Sequence, residues 1–104
     1  MENKEKIKTG IDLIAAERQR QIEKEGYTLE HDDYWTDEQL AEAAVFYAIP
    51  EKFGELLAFW PWFDRYNKKR KHNRLRQLAI ACALIAAEID RLTRIEGQPD
   101  EDSV

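Results

Sequence analysis

Two tryptophans precede a run of positive charge, and residues of these types bind nucleotides. Trp60 and Trp62 are separated by a single proline, and seven lysines and arginines follow between positions 65 and 76. Indole faces stack on bases, and guanidinium groups pair with phosphate oxygens. The segment predicts a site for an anionic, nucleotide-like ligand, with Arg70 and Arg74 as phosphate contacts. The alternative is that the tryptophans are hydrophobic plugs between helices and the basic run is a solvated loop.

Polar residues from two earlier segments are candidates to complete such a pocket. Arg18 and Gln21 flank the apolar positions of the first predicted helix, and Tyr27 follows that helix. The next segment carries His31 and Asp33, which suit ribose hydroxyls or a base edge. These residues also have a purely structural interpretation, because charged helix faces serve solubility and Asp side chains in loops bond backbone amides.

Carboxylates on three predicted helices offer a different chemistry, the binding of magnesium or manganese. Glu38 and Glu42 are four residues apart on one helix, and Glu17 and either Glu88 or Asp90 from two others are candidates to join them. The competing interpretation is that Glu38 lies in a first helical turn, where the helix dipole favours an anion, and that Glu42 faces water.

Length and composition limit the class of protein. A chain of 104 residues fits one domain, which we place at residues 1–96, followed by an acidic tail at 97–104 that we expect to be disordered. The net charge of −5 argues against non-specific nucleic-acid binding. The single cysteine, Cys82, lies in an apolar segment, so we expect a buried, inert thiol, and neither zinc binding nor covalent catalysis. The apolar run around it is about half of what a bilayer requires, which predicts a cytoplasmic protein without membrane contact.

The elements that must position these residues are predicted to be helices. Hydrophobic spacing indicates an all-α bundle of three to four helices, completed by association into a homo-oligomer. The first helix is expected at about 10–25, with its apolar face at Ile7, Ile11, Ile14 and Ile22 and a cap from Thr9 and Asp12.

The middle of the chain is predicted to contain a structured loop and a second helix. Residues 27–35 follow neither helical nor strand spacing, which predicts the loop. The helix is expected at about 37–49 with a capping box from Thr36 and Gln39, and Pro50 then opens a short turn.

The last helix has the clearest pattern, from Asn73 as its cap to Gly97 as its end. Its opposite side is apolar as well, which predicts either burial all round or a contact surface for a partner subunit. The leading apolar stripe is Leu75, Leu78, Ala79, Cys82, Ile85, Ala86, Ile89 and Leu92.

The order of motifs resembles that of a group of small proteins encoded by phages and prophages. The resemblance covers nearly the whole chain and implies a phage or prophage source, without a settled activity. The shared motifs are E-R-x-R-Q at 17–21, E-G-Y-T at 25–28, H-D-D at 31–33, an alanine-rich helix at 39–48, W-P-W at 60–62 and A-L-I-x-A-E-I-x-R-L at 83–92.

The first segment is also similar to the start of MazG-type nucleotide pyrophosphohydrolases, in which an E-R-x-x-Q helix leads into a glycine and a histidine-containing loop. That family is all-helical, often oligomeric, and hydrolyses nucleoside triphosphates with magnesium held by E-E-x-x-E and E-x-x-D motifs. This chain has Glu38 and Glu42 without the third acid, and the later motif is replaced by Gln77 and the apolar residues 78–81. A fold can persist after its metal site is lost.

These observations give three functional hypotheses. The favoured one is a phage accessory protein that captures an anionic nucleotide-like ligand, such as a cyclic or ADP-ribose-type defence signal of the host, without turnover and without a cofactor. The first alternative is a divergent magnesium-dependent pyrophosphohydrolase. The second is an inhibitor of a host protein, in which the acidic stretch 30–42 mimics nucleic acid and the W-P-W-F segment supplies anchors.

Overall fold

Helices form the whole framework of the chain as far as the structure describes it. The computed structural model describes residues 8–53, 60–62 and 68–97, and within these ranges it contains no strand. The all-α prediction is confirmed. The tail expected at 97–104 lies outside the described residues, apart from Gly97. The elements are α1 at Gly10–Lys24, α2 at Leu29–Tyr34, α3 at Gln39–Ala48, a 3₁₀ turn at Lys69–Lys71, and α4 at Arg74–Glu96.

Local hydrogen bonds fix the ends of the two longest helices, as the sequence predicts. The Thr9 hydroxyl accepts from the backbone N–H of Asp12 at 3.2 Å, and the Asp12 carboxylate accepts from the Thr9 N–H at 3.1 Å. Asn73 caps α4 by accepting from the N–H of Arg76 at 2.9 Å. Gly97 ends α4 with a φ of 90°, which glycine adopts without steric cost.

The loop predicted at 27–35 is wrong, because its centre folds into the short helix α2. The Thr28 hydroxyl caps this helix by accepting from the N–H of His31 at 3.2 Å. Asp32, which is fully buried, accepts from the Arg18 guanidinium at 2.9 Å. A helix this short gains its stability from such tertiary contacts, and they leave no periodic signal in the sequence.

Helix α3 begins two residues later than predicted. The Gln39 side chain accepts from the N–H of Asp37 at 2.8 Å, so the capping box expected between Thr36 and Gln39 does not form. Glu38 takes the N-cap position with a φ of 65° and makes no capping hydrogen bond. The short turn expected after Pro50 is present at 51–53.

Helix α4 is the centre of the packing. Both α1 and α3 pack against it, and α2 lies near its C-terminal half, where Arg94 pairs with Asp33 at 2.6 Å. None of the helices in the described ranges is long and apolar enough to cross a membrane. The core consists chiefly of α3 and α4 side chains, namely Leu40, Ala43, Ala44, Phe46, Tyr47, Ile80, Ala81, Leu84 and Ala87.

The buried face of α4 is its alanine-rich side, and of the leading apolar stripe of the sequence only Ala79 is fully part of that face. Ala83, Leu84 and Ala87 are buried, because small residues let α1 and α3 approach the helix closely. The expectation of a buried thiol is wrong, since Cys82 is exposed. We call the exposed residues Leu75, Leu78, Cys82, Ile85 and Ile89 the outer stripe.

Helix α1 also turns an unexpected side inward. Its buried residues are Glu17 and Gln21, whereas Ile11 and Ile22 of the predicted apolar face are exposed. Buried polar side chains are costly unless they find partners, so this inward polar face requires a polar environment between the helices.

Candidate functional site

A cavity of about 740 Å³ lies between α1, the start of α2, the end of α3 and the first half of α4. Its volume falls in the range typical of small-molecule sites, which are mostly apolar with a few polar groups. Ile80 and Leu84 of α4 contribute apolar wall. We call it the aromatic cavity, because seven residues with aromatic rings line it: Tyr27, His31, Trp35, Tyr47, Trp60, Trp62 and His72.

The tryptophan rings form a corner and not a parallel pair. Trp60 and Trp62 have centroids 5.2 Å apart and planes at 88°, and Trp62 in turn lies 5.4 Å from Trp35. On the other side of the W-P-W segment, Trp60 packs against Phe46 at 5.0 Å. A flat ligand ring that stacks on one indole of such a corner meets the edge of the other, a geometry that aromatic rings favour.

A set of alternating charges lies at one side of the aromatic cavity: Arg20, Glu25 and Lys68 line it, and Glu17 and Arg76 pair next to them. Arg20 donates to Glu17 at 2.8 Å and to Glu25 at 2.9 Å. Lys68 lies 3.8 Å from Glu25, and Arg76 lies 2.8 Å from Glu17. We call these five residues the polar cluster. Three cations against two carboxylates leave it with one net positive charge, which favours an anionic ligand.

His31 is held in place by a chain of hydrogen bonds from α1. Its Nδ1 lies 2.8 Å from Asp32, which also pairs with Arg18, and Arg18 reaches Gln21 at 3.4 Å. The imidazole stacks on Tyr27 with centroids 4.3 Å apart and planes at 10°. The buried carboxylate therefore orients an imidazole at the wall of the cavity, which preorganises this part of the site.

Burial sets the protonation states of three residues that line the cavity. It raises the pKa of Tyr27 to about 12 and also raises that of Tyr47, so both phenols are neutral hydrogen-bonding groups near pH 7. Burial lowers the pKa of His72, and the positive charge of Arg76 lowers it further. His72 is therefore neutral at pH 7.

For Glu25, burial raises the pKa, but the hydrogen bond from Arg20 and the positive charge of Lys68 outweigh it and bring the pKa below its ordinary value. The carboxylate is therefore ionised at neutral pH. It supplies an acceptor for a hydroxyl or amino group of a ligand.

Two indole N–H groups at the cavity are buried without an acceptor in the described part of the chain. They belong to Trp35 and Trp62. A buried donor without a partner costs about 1–3 kcal/mol, so most native structures avoid it. Such donors are found where a ligand or a water molecule supplies the missing acceptor.

The structure brings together five of the nine residues predicted to bind a ligand. These five line the aromatic cavity from four different segments of the chain. They are Gln21, Tyr27, His31, Trp60 and Trp62.

The other four predicted residues lie outside the lining of the cavity. Arg18 is held by Asp32, and Asp33 pairs with Arg94. Arg70 is exposed in the 3₁₀ turn. Arg74 donates to the carbonyl oxygens of Tyr47 at 3.2 Å, of Ile49 at 3.3 Å and of Ala48. These carbonyls belong to the C-terminal end of α3, which has unpaired acceptors and attracts cations.

Several residues of the cavity wall are not among those that the sequence predicts. Arg20 lies one position before the predicted Gln21, and Glu25 lies four positions after it. Trp35 lies four positions after the predicted His31. The spacing of Glu17, Arg20 and Gln21 places them on one face of α1, and this was the available signal. Nothing in the sequence distinguishes Lys68 and His72 from the other members of the basic run.

The carboxylates proposed for magnesium do not converge. Glu17 is paired with Arg20 and Arg76, and Glu88 pairs with Arg91 through two bonds of 2.9 Å. Among the described residues, no group of three or more acidic, histidine or cysteine side chains is arranged to hold a metal ion. A shallow cleft on α3 contains the remaining two carboxylates of the proposed set, Glu38 and Glu42, together with Asp37.

Comparison with protein-family models, curated proteins and solved structures gave no match to this chain.

Proposed function

We propose that this protein binds an anionic, nucleotide-like small molecule in the aromatic cavity and retains it without chemical conversion. One observation carries the proposal: the indoles of Trp60 and Trp62 line the same cavity as the cations of Arg20 and Lys68. Stacking surfaces and cations are the two features that recognition of a base and a phosphate requires.

The geometry suggests how such a ligand is held. A base stacks in the corner formed by Trp60 and Trp62, and the indole N–H of Trp62 gains the acceptor that it lacks in the described residues. Phosphate oxygens lie toward Arg20 and Lys68. The ionised carboxylate of Glu25 and the neutral phenol of Tyr27 suit the hydroxyl groups of a sugar.

The charge of the wall favours few phosphate groups. The polar cluster carries one net positive charge, and His72 beside it is neutral at pH 7. Glu17 and Glu25 repel a highly charged polyphosphate chain. A ligand with one or two phosphate charges therefore fits better than a nucleoside triphosphate.

Two further points favour retention over hydrolysis. The two carboxylates of the polar cluster are engaged by arginine and lysine side chains, and the described residues bring no third acid to them. The resemblance to phage proteins implies that the chain is phage-encoded. A phage protein that binds a nucleotide without converting it can serve to capture a nucleotide signal made by the host.

The test is calorimetric titration with a nucleoside and its monophosphate, cyclic monophosphate, diphosphate, triphosphate and ADP-ribose-type derivatives. We expect binding by members with one or two phosphate charges. Loss of a base-stacking indole costs about 1–3 kcal/mol, so Trp62→Ala should weaken binding about 5- to 150-fold. Arg20→Gln should weaken binding of the phosphorylated members more than that of the nucleoside.

The matched control is Arg70→Ala, because Arg70 is an exposed cation of the basic run outside the cavity lining. This variant should bind as the wild type does. If Arg70→Ala abolishes binding while Trp62→Ala has no effect, the ligand lies on the basic run and not in the cavity. If no member of the panel binds, the proposed function is lost.

A further inference from the structure

The outer stripe of α4 is an apolar surface that no other described part of the chain covers. Its members have large exposed fractions, 60% for Leu75 and 55% for Ile89. Together they expose roughly 400 Å² of apolar surface, the size of the largest patch on a typical monomer, and patches of that size are often functional.

The spacing of the outer stripe is that of a two-helix interface. Its residues follow one another at intervals of three, four, three and four, so they recur every 3.5 residues along α4. This is the repeat by which paired helices interlock their side chains, and a helix that only faces water has no need of it. The stripe extends over about 21 Å of helix, or four turns.

Charges at the two ends of α4 favour pairing with a second copy of this helix in the antiparallel direction. The N-terminal end follows the exposed cations Arg70 and Lys71, and the C-terminal end carries the exposed acids Asp90 and Glu96. The two cations near the C-terminal end are both paired, Arg91 with Glu88 and Arg94 with Asp33. A second α4 in the antiparallel direction places basic ends against acidic ends, whereas a parallel partner places like charges together.

We propose that two copies of this chain form a dimer through antiparallel pairing of their α4 helices along the outer stripe. The heptad spacing gives a symmetric register in which Leu75 lies opposite Leu92 of the second copy, and Leu78 lies opposite Ile89. The two-fold axis passes between Cys82 and Ile85. The two stripes together bury about 800 Å². Their flanking side chains bring the total toward the lower end of specific interfaces, about 1,200 Å².

The dimer leaves the aromatic cavity open. Ile80 and Leu84, which line the cavity, are buried on the inner side of α4, and the outer stripe lies on its solvent side. Each subunit then carries its own cavity. Dimerisation and ligand binding are therefore separate properties that different measurements can test.

Sedimentation equilibrium at low salt tests the proposal directly. The wild type should have twice the chain mass of 12.3 kDa. Ile85→Glu places a charge in the middle of the stripe and should give a monomer. Val45→Glu is the matched control, because Val45 is an equally exposed aliphatic residue on α3, outside the stripe, and this variant should remain a dimer.

A charge exchange tests the antiparallel direction. Lys71→Glu or Glu96→Lys alone should raise the dimer dissociation constant about tenfold, since two weak surface pairs are reversed in each case. The double variant should return to the wild-type value. A monomeric wild type, or an Ile85→Glu variant that remains a dimer, would overturn the proposal. Equal dimerisation of both single variants and the double variant would overturn the antiparallel register.

Discussion

The two sides of α4 differ in what they contact, although the sequence makes both apolar. The inner side packs small residues against α1 and α3 and supplies apolar wall to the aromatic cavity. The outer side presents larger aliphatic residues to solvent. The alanines of the inner side permit close helix packing. Hydrophobicity alone therefore does not distinguish the core side of α4 from the exposed side.

Helix α1 also buries a side that hydrophobicity alone would not select. Its inward side carries Glu17 and Gln21, and its isoleucines at positions 11 and 22 are exposed. The inward carboxylate is satisfied by Arg20 and Arg76, which belong to the polar cluster. Where α1 faces the aromatic cavity, polar groups replace the apolar face that a simple bundle would have.

The largest expected effect comes from truncating adjacent residues on the two sides of α4. Leu84 is 2% exposed and Ile85 is 44% exposed. Leu84→Ala should lower the free energy of unfolding by about 2–5 kcal/mol, because it leaves a cavity in the core. Urea denaturation should show this loss at every protein concentration.

Ile85→Ala is the matched variant for that experiment. It should cost the monomer less than about 1 kcal/mol, because surface substitutions have small effects. Its main effect should be a weaker dependence of stability on protein concentration, since the dimer contact is lost. Equal losses for the two variants would show that both sides of α4 are core.

A smaller effect should come from the buried ion pair on the inner side of α4. Arg91 donates two hydrogen bonds of 2.9 Å to the Glu88 carboxylate. Glu88→Gln removes the charge of this pair and should lower the free energy of unfolding by about 1–3 kcal/mol. Asp90→Asn makes the same chemical change at an exposed position of the same helix and should cost less than about 0.5 kcal/mol. Urea denaturation of the two variants measures the difference, and equal midpoints would contradict the assignment of the inner side.

The smallest expected effect is on the pH dependence of the free energy of unfolding, and it comes from His72 in the lining of the cavity. The pKa of His72 is lowered in the folded chain, by burial and by Arg76, from an ordinary value of about 6.5. Below that pH the unfolded chain gains a proton that the folded chain resists, so stability falls as the pH decreases. His72→Gln should flatten the decline measured between pH 7 and pH 5.5, and an unchanged decline would show that His72 is not its source.

The sequence predicted those features of the fold that depend on local hydrogen bonds. The caps at Thr9 and Asn73 and the end at Gly97 were confirmed, because each involves groups a few residues apart. Helix α2 could not be predicted, since Asp32 is held by Arg18, fourteen positions away.

The prediction of the site was partial for a related reason. The aromatic residues at positions 60 and 62 were found by their type, and they do line the cavity. The choice among the cations was not possible from charge alone. Arg74 and Lys69 donate hydrogen bonds to carbonyl oxygens at the end of α3, whereas Lys68 and Arg20 line the cavity.

Nucleotide binding in the aromatic cavity can be tested by a titration that records the indole N–H signals of the isotope-labelled protein by nuclear magnetic resonance. The chain contains three tryptophans, and all three line the cavity, so three signals report on it. A nucleoside monophosphate should move the signals of Trp60 and Trp62, assigned by Trp→Phe variants, whereas the same concentration of inorganic phosphate should move them little. If nucleosides, their monophosphates and their diphosphates all leave the three signals in place at millimolar concentration, the aromatic cavity is not a nucleotide site.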